Sequence, residues 1–204
     1  VVHAGDQPVR FPLYLRVPGW GREPLVQVNG QDVAIAAKPL QWILIDRAWN
    51  NQDTVSLKLP MRVTLRTWAK NQHRVSVDRG PLTYSLRIGE KYVRQGGTDQ
   101  WPAWEIHPTT PWNYGLVLDE DNPASSFEVI HKEWPADDMP FTLTGTPIEI
   151  KAQGQLIEAW QLDQLGLVGS PQPSPVLTDQ PVATIRLVPM GAARLRISAF
   201  PVIG

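Results

Sequence analysis

Twenty acidic residues, four histidines and no cysteine are the groups from which this chain could build a catalytic or metal site. A glycosidase needs two carboxyl groups about 5–9.5 Å apart across the bond it cuts. The candidates are Glu105, Asp119, Glu120, Asp121, Asp137 and Asp138. Asp119-Glu120-Asp121 runs into Asn122-Pro123, and Asp137-Asp138 into Met139-Pro140, so both read as solvated turns. Glu105 differs, because tryptophans flank it in an irregular segment; one carboxylate there is a weak case for catalysis. His3, His73, His107 and His131 lie far apart, and none has the local spacing that presents metal ligands on one face. They read as surface or loop histidines. Without cysteine there is no disulfide, no thiolate metal site and no cysteine nucleophile within this chain. No nucleophile elbow, phosphate-binding loop or dinucleotide fingerprint is present, and Gly96-Gly97 is a weak signal. The residues therefore assign no catalytic group, no cofactor and no metal ligand.

The nine tryptophans carry the remaining chemistry. Trp20 follows Pro18-Gly19 at a strand end. Trp42, Trp49 and Trp68 lie in or beside strand patterns and read as core or module-interface residues. Trp101, Trp104, Trp112 and Trp134 lie outside clean alternation. Three roles fit such residues: anchoring a loop by burying a large surface, docking on another domain, or stacking on a sugar ring. Trp101, Trp104, Trp112 and Tyr114 are the candidate sugar or interdomain contacts.

The elements that must position them are short strands. Arg10–Pro18 alternates, with Phe11, Leu13, Leu15 and Val17 on one face, and Pro12 places it at an edge or bulge. Asn29-Gly30 between apolar alternations predicts a hairpin with a type I′ turn. Trp42–Asp46, Thr54–Met61, Val63–Thr67, Arg74–Val77 and Leu82–Ile88 continue a meander, with turns at Asn50–Asp53 and Arg79-Gly80-Pro81. Gly89 to Asn122 is irregular and reads as a long ordered excursion with short strands near Trp104–Ile106 and Tyr114–Leu118. Strand patterns resume at Phe127–His131, Phe141–Leu143, Ile148–Ala152, Ile185–Pro189 and Arg194–Ala199, with a proline-rich loop over Gly169–Gln180. The expected fold is all-β with little helix: two consecutive antiparallel β-sandwich modules of jelly-roll or Ig-like type. Residues 1–89 form the first, lacking an opening strand. Residues 90–204 form the second, with a Trp/Pro-rich excursion at 94–122.

Composition narrows the partners. The net charge is −1 and basic residues are scattered, so there is no electrostatic footprint for nucleic acid. The longest apolar runs fall far below the roughly 20 residues of a membrane span. Twenty prolines and 15 glycines without low complexity fit turns between many strands. The first residue is Val1 and no signal-peptide pattern follows, so the chain reads as a processed product or a piece of something longer. The cysteine count does not fix a compartment.

Several phrases in order resemble a known family. They are Phe11-Pro12-Leu13-Tyr14-Leu15-Arg16-Val17-Pro18-Gly19-Trp20, Val28-Asn29-Gly30, Ile45-Asp46-Arg47-Ala48-Trp49 with Asp53-Thr54-Val55, Leu59-Pro60-Met61 and Arg79-Gly80-Pro81-Leu82. Thr110-Pro111-Trp112-Asn113-Tyr114-Gly115-Leu116, Ser174-Pro175-Val176, the stretch from Leu187 to Ile197, and Phe200-Pro201 follow. Together they resemble the C-terminal β-sandwich region of glycoside hydrolase family 127, the β-L-arabinofuranosidase-like enzymes. The resemblance implies an N-terminal (α/α)6-barrel catalytic domain ahead of the sandwiches. It also implies a cysteine nucleophile near zinc, held by further cysteines and a glutamate in or at the barrel. None of those positions maps onto this chain, so zinc is implied only for the absent catalytic domain. Two functions follow as expectations. One is a noncatalytic accessory region that docks on and stabilises that barrel, inactive alone and able to support a homo-oligomer. The other is an autonomous carbohydrate-binding module. A third reading, a small complete enzyme built around Glu105, has the least support.

Overall fold

The computed structural model describes residues 1–34, 37–170 and 172–204. It divides into two compact units, Val1–Arg62 and Val63–Gly204. Fourteen strands are described: β1 (Val9–Arg16), β2 (Leu25–Val28), β3 (Gln31–Asp32), β4 (Trp42–Trp49), β5 (Val55–Lys58), β6 (Val63–Trp68), β7 (Arg74–Arg79), β8 (Leu82–Leu86), β9 (Glu90–Gly97), β10 (Pro102–Pro108), β11 (Tyr114–Val117), β12 (Glu128–His131), β13 (Ile148–Leu156) and β14 (Ala183–Pro189). Every strand-to-strand pairing among them is antiparallel. Helix is limited, among the described residues, to three 3-10 turns of three or four residues. The all-β, sandwich-like class expected from alternation is the observed one.

In the first unit two small sheets share one core. β1 pairs with β4, and β2 pairs with both β3 and β5. Phe11, Leu13 and Leu15 of β1 meet Val26 and Val28 of β2, Ile43, Ile45 and Trp49 of β4, and Val55 and Leu57 of β5. Alternation puts these residues inside because successive side chains of a strand point to opposite faces. Pro12 sits in β1, which among the described residues pairs with β4 alone, an edge position of the kind where proline is tolerated. The expected hairpin turn is present: Asn29 and Gly30 have φ of 52° and 78°. Trp49 is fully buried; its ring stacks on Phe11 at 5.7 Å and its Nε1 donates to the Phe11 carbonyl at 2.9 Å.

The hairpin turn is locked from behind by a buried carboxylate. Asp53 Oδ1 accepts from Asn29 Nδ2 at 2.8 Å, and Oδ2 accepts from the Asn50 N–H at 2.9 Å, with Arg47 Nη2 3.7 Å away. The Asn29 bond first, then the Asn50 bond and the Arg47 charge, hold the Asp53 carboxyl below the usual carboxylate range against the opposing effect of burial. A pKa depressed by folding gives stability that is present above the unfolded value of about 3.9 and is lost as pH falls through the folded value. Denaturant midpoints measured from pH 7 downward should therefore fall on the acid side. Asp53→Asn should flatten that acid limb; an unchanged limb would show that the carboxylate is not what acid attacks.

The second unit is built on a seven-stranded sheet of order β11-β13-β14-β8-β7-β6, with β12 also on β13. β11 pairs with the second half of β13 and β12 with its first half, so both lie along one edge. Val77, Tyr84, Leu86, Ile150, Leu187 and Leu116 of the sheet pack with Ile157, Trp160, Ile197 and Phe200.

The boundary expected near residue 90 falls instead between Arg62 and Val63. The meander reads as continuous, but β5 turns back onto β2 while β6 goes to β7, and β8 joins β14 through Leu86 and Leu187. Pro60, just before the break, cannot donate to a ladder.

Two expected strands are not strands. Phe141–Leu143 lies in a bend. Arg194–Ala199 keeps its alternation, with Leu195 and Ile197 turned inward, but forms no ladder. The tail changes partner every few residues: the Leu86 N–H donates to Ile197 at 2.8 Å, Val75 and Phe200 exchange bonds at 2.8 and 2.9 Å, and the Leu116 N–H donates to Pro201 at 2.9 Å. Period-two burial needs only a buried side; a strand also needs one neighbour whose edge stays free. Pro171, in the proline-rich loop expected over Gly169–Gln180, lies outside the described residues.

Candidate functional site

The irregular segment after Gly89 is largely a hairpin. Among the described residues β9 pairs only with β10, with a bulge between Ala103 and Trp104. Gly97 has φ of 75°, and a Cβ there would lie 2.2 Å from the Trp101 carbonyl oxygen, so the position demands glycine. Thr98 closes the tip, its N–H donating to the Trp101 carbonyl at 3.1 Å and its Oγ1 accepting from the Trp101 N–H at 3.0 Å. Arg94 is fixed at the same end, donating to Asp99 at 2.7 Å and to the Gly96 and Gly97 carbonyls at 3.3 Å.

The pairing register sorts the side chains onto two faces. Tyr92, Arg94, Trp104 and Ile106 share one; Val93, Gln95, Glu105 and His107 share the other. Tyr92 and Trp104 meet edge to face, with centroids 6.3 Å apart at 82°. Glu105 Oε2 accepts from Gln95 at 2.8 Å and lies 3.2 Å from His107 Nε2. Both partners of the Glu105 carboxylate come from the hairpin itself.

The four candidate contact residues separate into two pairs. Trp101 and Trp104 are 75% and 50% exposed on the hairpin. Trp112 is half-buried and meets Trp160 edge-on at 5.2 Å, and Tyr114 is half-buried against the main core. Of the tryptophans expected inside, Trp49 is buried but Trp42 is exposed, and Trp68 is partly exposed beneath the Arg66 guanidinium, 4.5 Å from its ring centre. Two residues escaped the sequence reading. Trp160 is a principal core side chain, and Tyr92 completes the hairpin's aromatic face. Gly96-Gly97 between Tyr92-Val93 and Trp104-Glu105-Ile106 is the turn signal that could have found the hairpin.

Three of the other candidate carboxylates serve their own turns. Asp119 Oδ1 accepts from the Asn122 N–H at 2.6 Å, Asp137 Oδ1 from the Met139 N–H at 3.1 Å, and Asp138 Oδ1 from Trp134 Nε1 at 2.6 Å. Among the described residues no three histidines, cysteines, aspartates or glutamates gather as a metal site would require. The zinc implied for the family's catalytic domain needs thiolates, and this sequence has none, so the residues here do not fit that group.

Two depressions lie in the second unit. One, of about 490 Å³, is lined by Ile88, Ile106, Trp112 and Leu167 together with Glu105, His107 and Arg196. The other, of about 440 Å³, has no charged residue in its lining, which includes Leu82, Trp134, Phe141, Ile148 and Met190. Trp134 and Phe141 beside it are 61% and 63% exposed.

Residues 1–61 match the family model described as Beta-L-arabinofuranosidase, GH127 middle domain. The resemblance to family 127 is borne out over these residues, which are under a third of the chain. The GH127 match ends within one residue of the structural boundary at Arg62, and it is to a middle domain rather than to a C-terminal region. A GH127 β-L-arabinofuranosidase from Geobacillus stearothermophilus T6 shares 23% identity with a TM-score of 0.57, over 95% of this chain and 26% of that one. A GH127 β-arabinofuranosidase shares 19% with a TM-score of 0.58, over 96% and 28%. A further structure, described as a glycoside hydrolase, shares 21% with a TM-score of 0.56, again over 96% and 28%. At these identities the likeness is one of fold. This chain spans little more than a quarter of each of these proteins. Among curated proteins, none matches.

Proposed function

We propose that this chain is a noncatalytic β-sandwich region of a GH127-type glycoside hydrolase, docking on and stabilising an N-terminal (α/α)6-barrel of the same polypeptide. The GH127 middle-domain match on a chain without a single cysteine carries the reading, because a cysteine-dependent glycosidase must keep its nucleophile elsewhere. The parent reaction is then hydrolysis of β-L-arabinofuranosides or related glycosides, with zinc confined to the barrel. The uncharged depression beside Trp134 and Phe141 supports a docking role, since a domain interface buries apolar surface that isolation exposes. Cut free, the same surface offers a route to homo-oligomers.

The docking role is tested with Phe141→Asp made twice, in the full polypeptide and in this chain alone. In the full polypeptide the barrel's thermal midpoint should fall by roughly 2–4 °C for each kcal/mol by which the interface is weakened. In the isolated chain, where Phe141 is exposed, the midpoint should stay put. Equal midpoints in the full polypeptide would remove this surface from the interface.

A further inference from the structure

We infer that the tip and aromatic face of the β9–β10 hairpin form a contact site for a neutral oligosaccharide. The first observation is where the hairpin spends its bonds. Trp101 is 75% exposed, so its indole contributes little to folding, yet Gly97, Thr98 and Arg94 together hold its backbone in one tight turn. A turn built to present an indole to solvent is preorganised for an occupant, and preorganisation lowers the cost of binding.

The second observation is what surrounds the rings. Trp104 and Tyr92 stand edge to face on the same face of the hairpin as Arg94, whose guanidinium is paired with the exposed Asp99 carboxylate. Flat apolar faces next to acceptors and donors match a sugar ring, which pairs an apolar C–H face with a rim of hydroxyls. The depression at Trp134 has no charged residue in its lining, and the Trp134 Nε1 is already spent on Asp138 Oδ1, so it suits an apolar protein surface instead. The hairpin's charges are of both signs, with Glu90, Asp99 and Glu105 against Lys91 and Arg94, which favours an uncharged glycan over a polyanion.

The site stands on the hairpin alone. Only the choice of sugar rests on the GH127 reading, so the probes are soluble arabinan fragments with xylan and galactan fragments beside them. The chain is titrated while tryptophan fluorescence is followed, and again as Trp101→Ala and Trp104→Ala. Removing one stacking ring weakens binding by about three- to tenfold. Saturable quenching by any of the three glycans, weakened by that factor in either variant while circular dichroism stays unchanged, supports the site. Binding of xylan or galactan but not arabinan would keep the site and count against the arabinoside assignment. No response in the millimolar range overturns the inference. A fluorescence change that follows protein concentration without sugar also overturns it, since the hairpin would then be a protein contact.

Discussion

Trp49→Ala is expected to cost the first unit roughly 3–5 kcal/mol. The residue is fully buried, stacks on Phe11 and donates its indole N–H to the Phe11 carbonyl, so truncation removes packing and takes a donor from a part-buried acceptor. The unit has 62 residues, which at ordinary stabilities holds roughly 3–9 kcal/mol in all. The loss is comparable to the whole, and residues 1–62 should unfold at or near room temperature. Hydrogen exchange read by segment separates the units: β1 and β4 should lose protection while β13 and β14 keep it. Trp42→Ala is the control on the same strand, because Trp42 is 60% exposed and its removal should change stability by about 0.5 kcal/mol or less. Retained protection of β1 and β4 in Trp49→Ala would show that this indole is not the anchor of the first core.

Trp160→Ala is the matching experiment in the second unit. Trp160 is 1% exposed, meets Trp112 edge-on and donates Nε1 to the Gly169 carbonyl at 3.1 Å. Truncation should again cost roughly 3–5 kcal/mol. The larger unit has more stability to lose, so it should stay folded with a thermal midpoint lowered by roughly 6–20 °C. Trp112→Ala should cost less, because Trp112 is only half-buried. A larger loss from Trp112→Ala than from Trp160→Ala would reverse which of the two rings anchors the pair.

The contrast between Trp49 and Trp42 also shows where sequence reasoning stops. Both lie on β4, which alternates from Ile43 to Ile45 and pairs in register with β1. Periodicity states that alternate residues share a face, and Asn29-Gly30 states where the chain reverses; both were legible. Trp42 falls on the outer face with Tyr14 and Leu44, so residue type misleads where phase decides. Non-local pairing was not legible. Nothing local in Leu82–Leu86 says that Leu86 will find Leu187, and the boundary followed that pairing rather than the meander. The tail from Arg194 alternates as a strand does, yet its neighbours' edges are taken by turns, which no window of sequence records. At the candidate site, Glu105 drew notice for its flanking tryptophans, but the register puts its carboxylate on the face opposite Tyr92 and Trp104.

If this chain is the noncatalytic region of a GH127-type enzyme, the chemistry lies outside it. Release of chromophore from an aryl β-L-arabinofuranoside, followed with the purified chain in the presence and absence of zinc, measures this directly. The expected rate equals the buffer blank in both. Turnover above the blank that zinc raises, a chelator removes and Glu105→Gln abolishes would contradict a noncatalytic role.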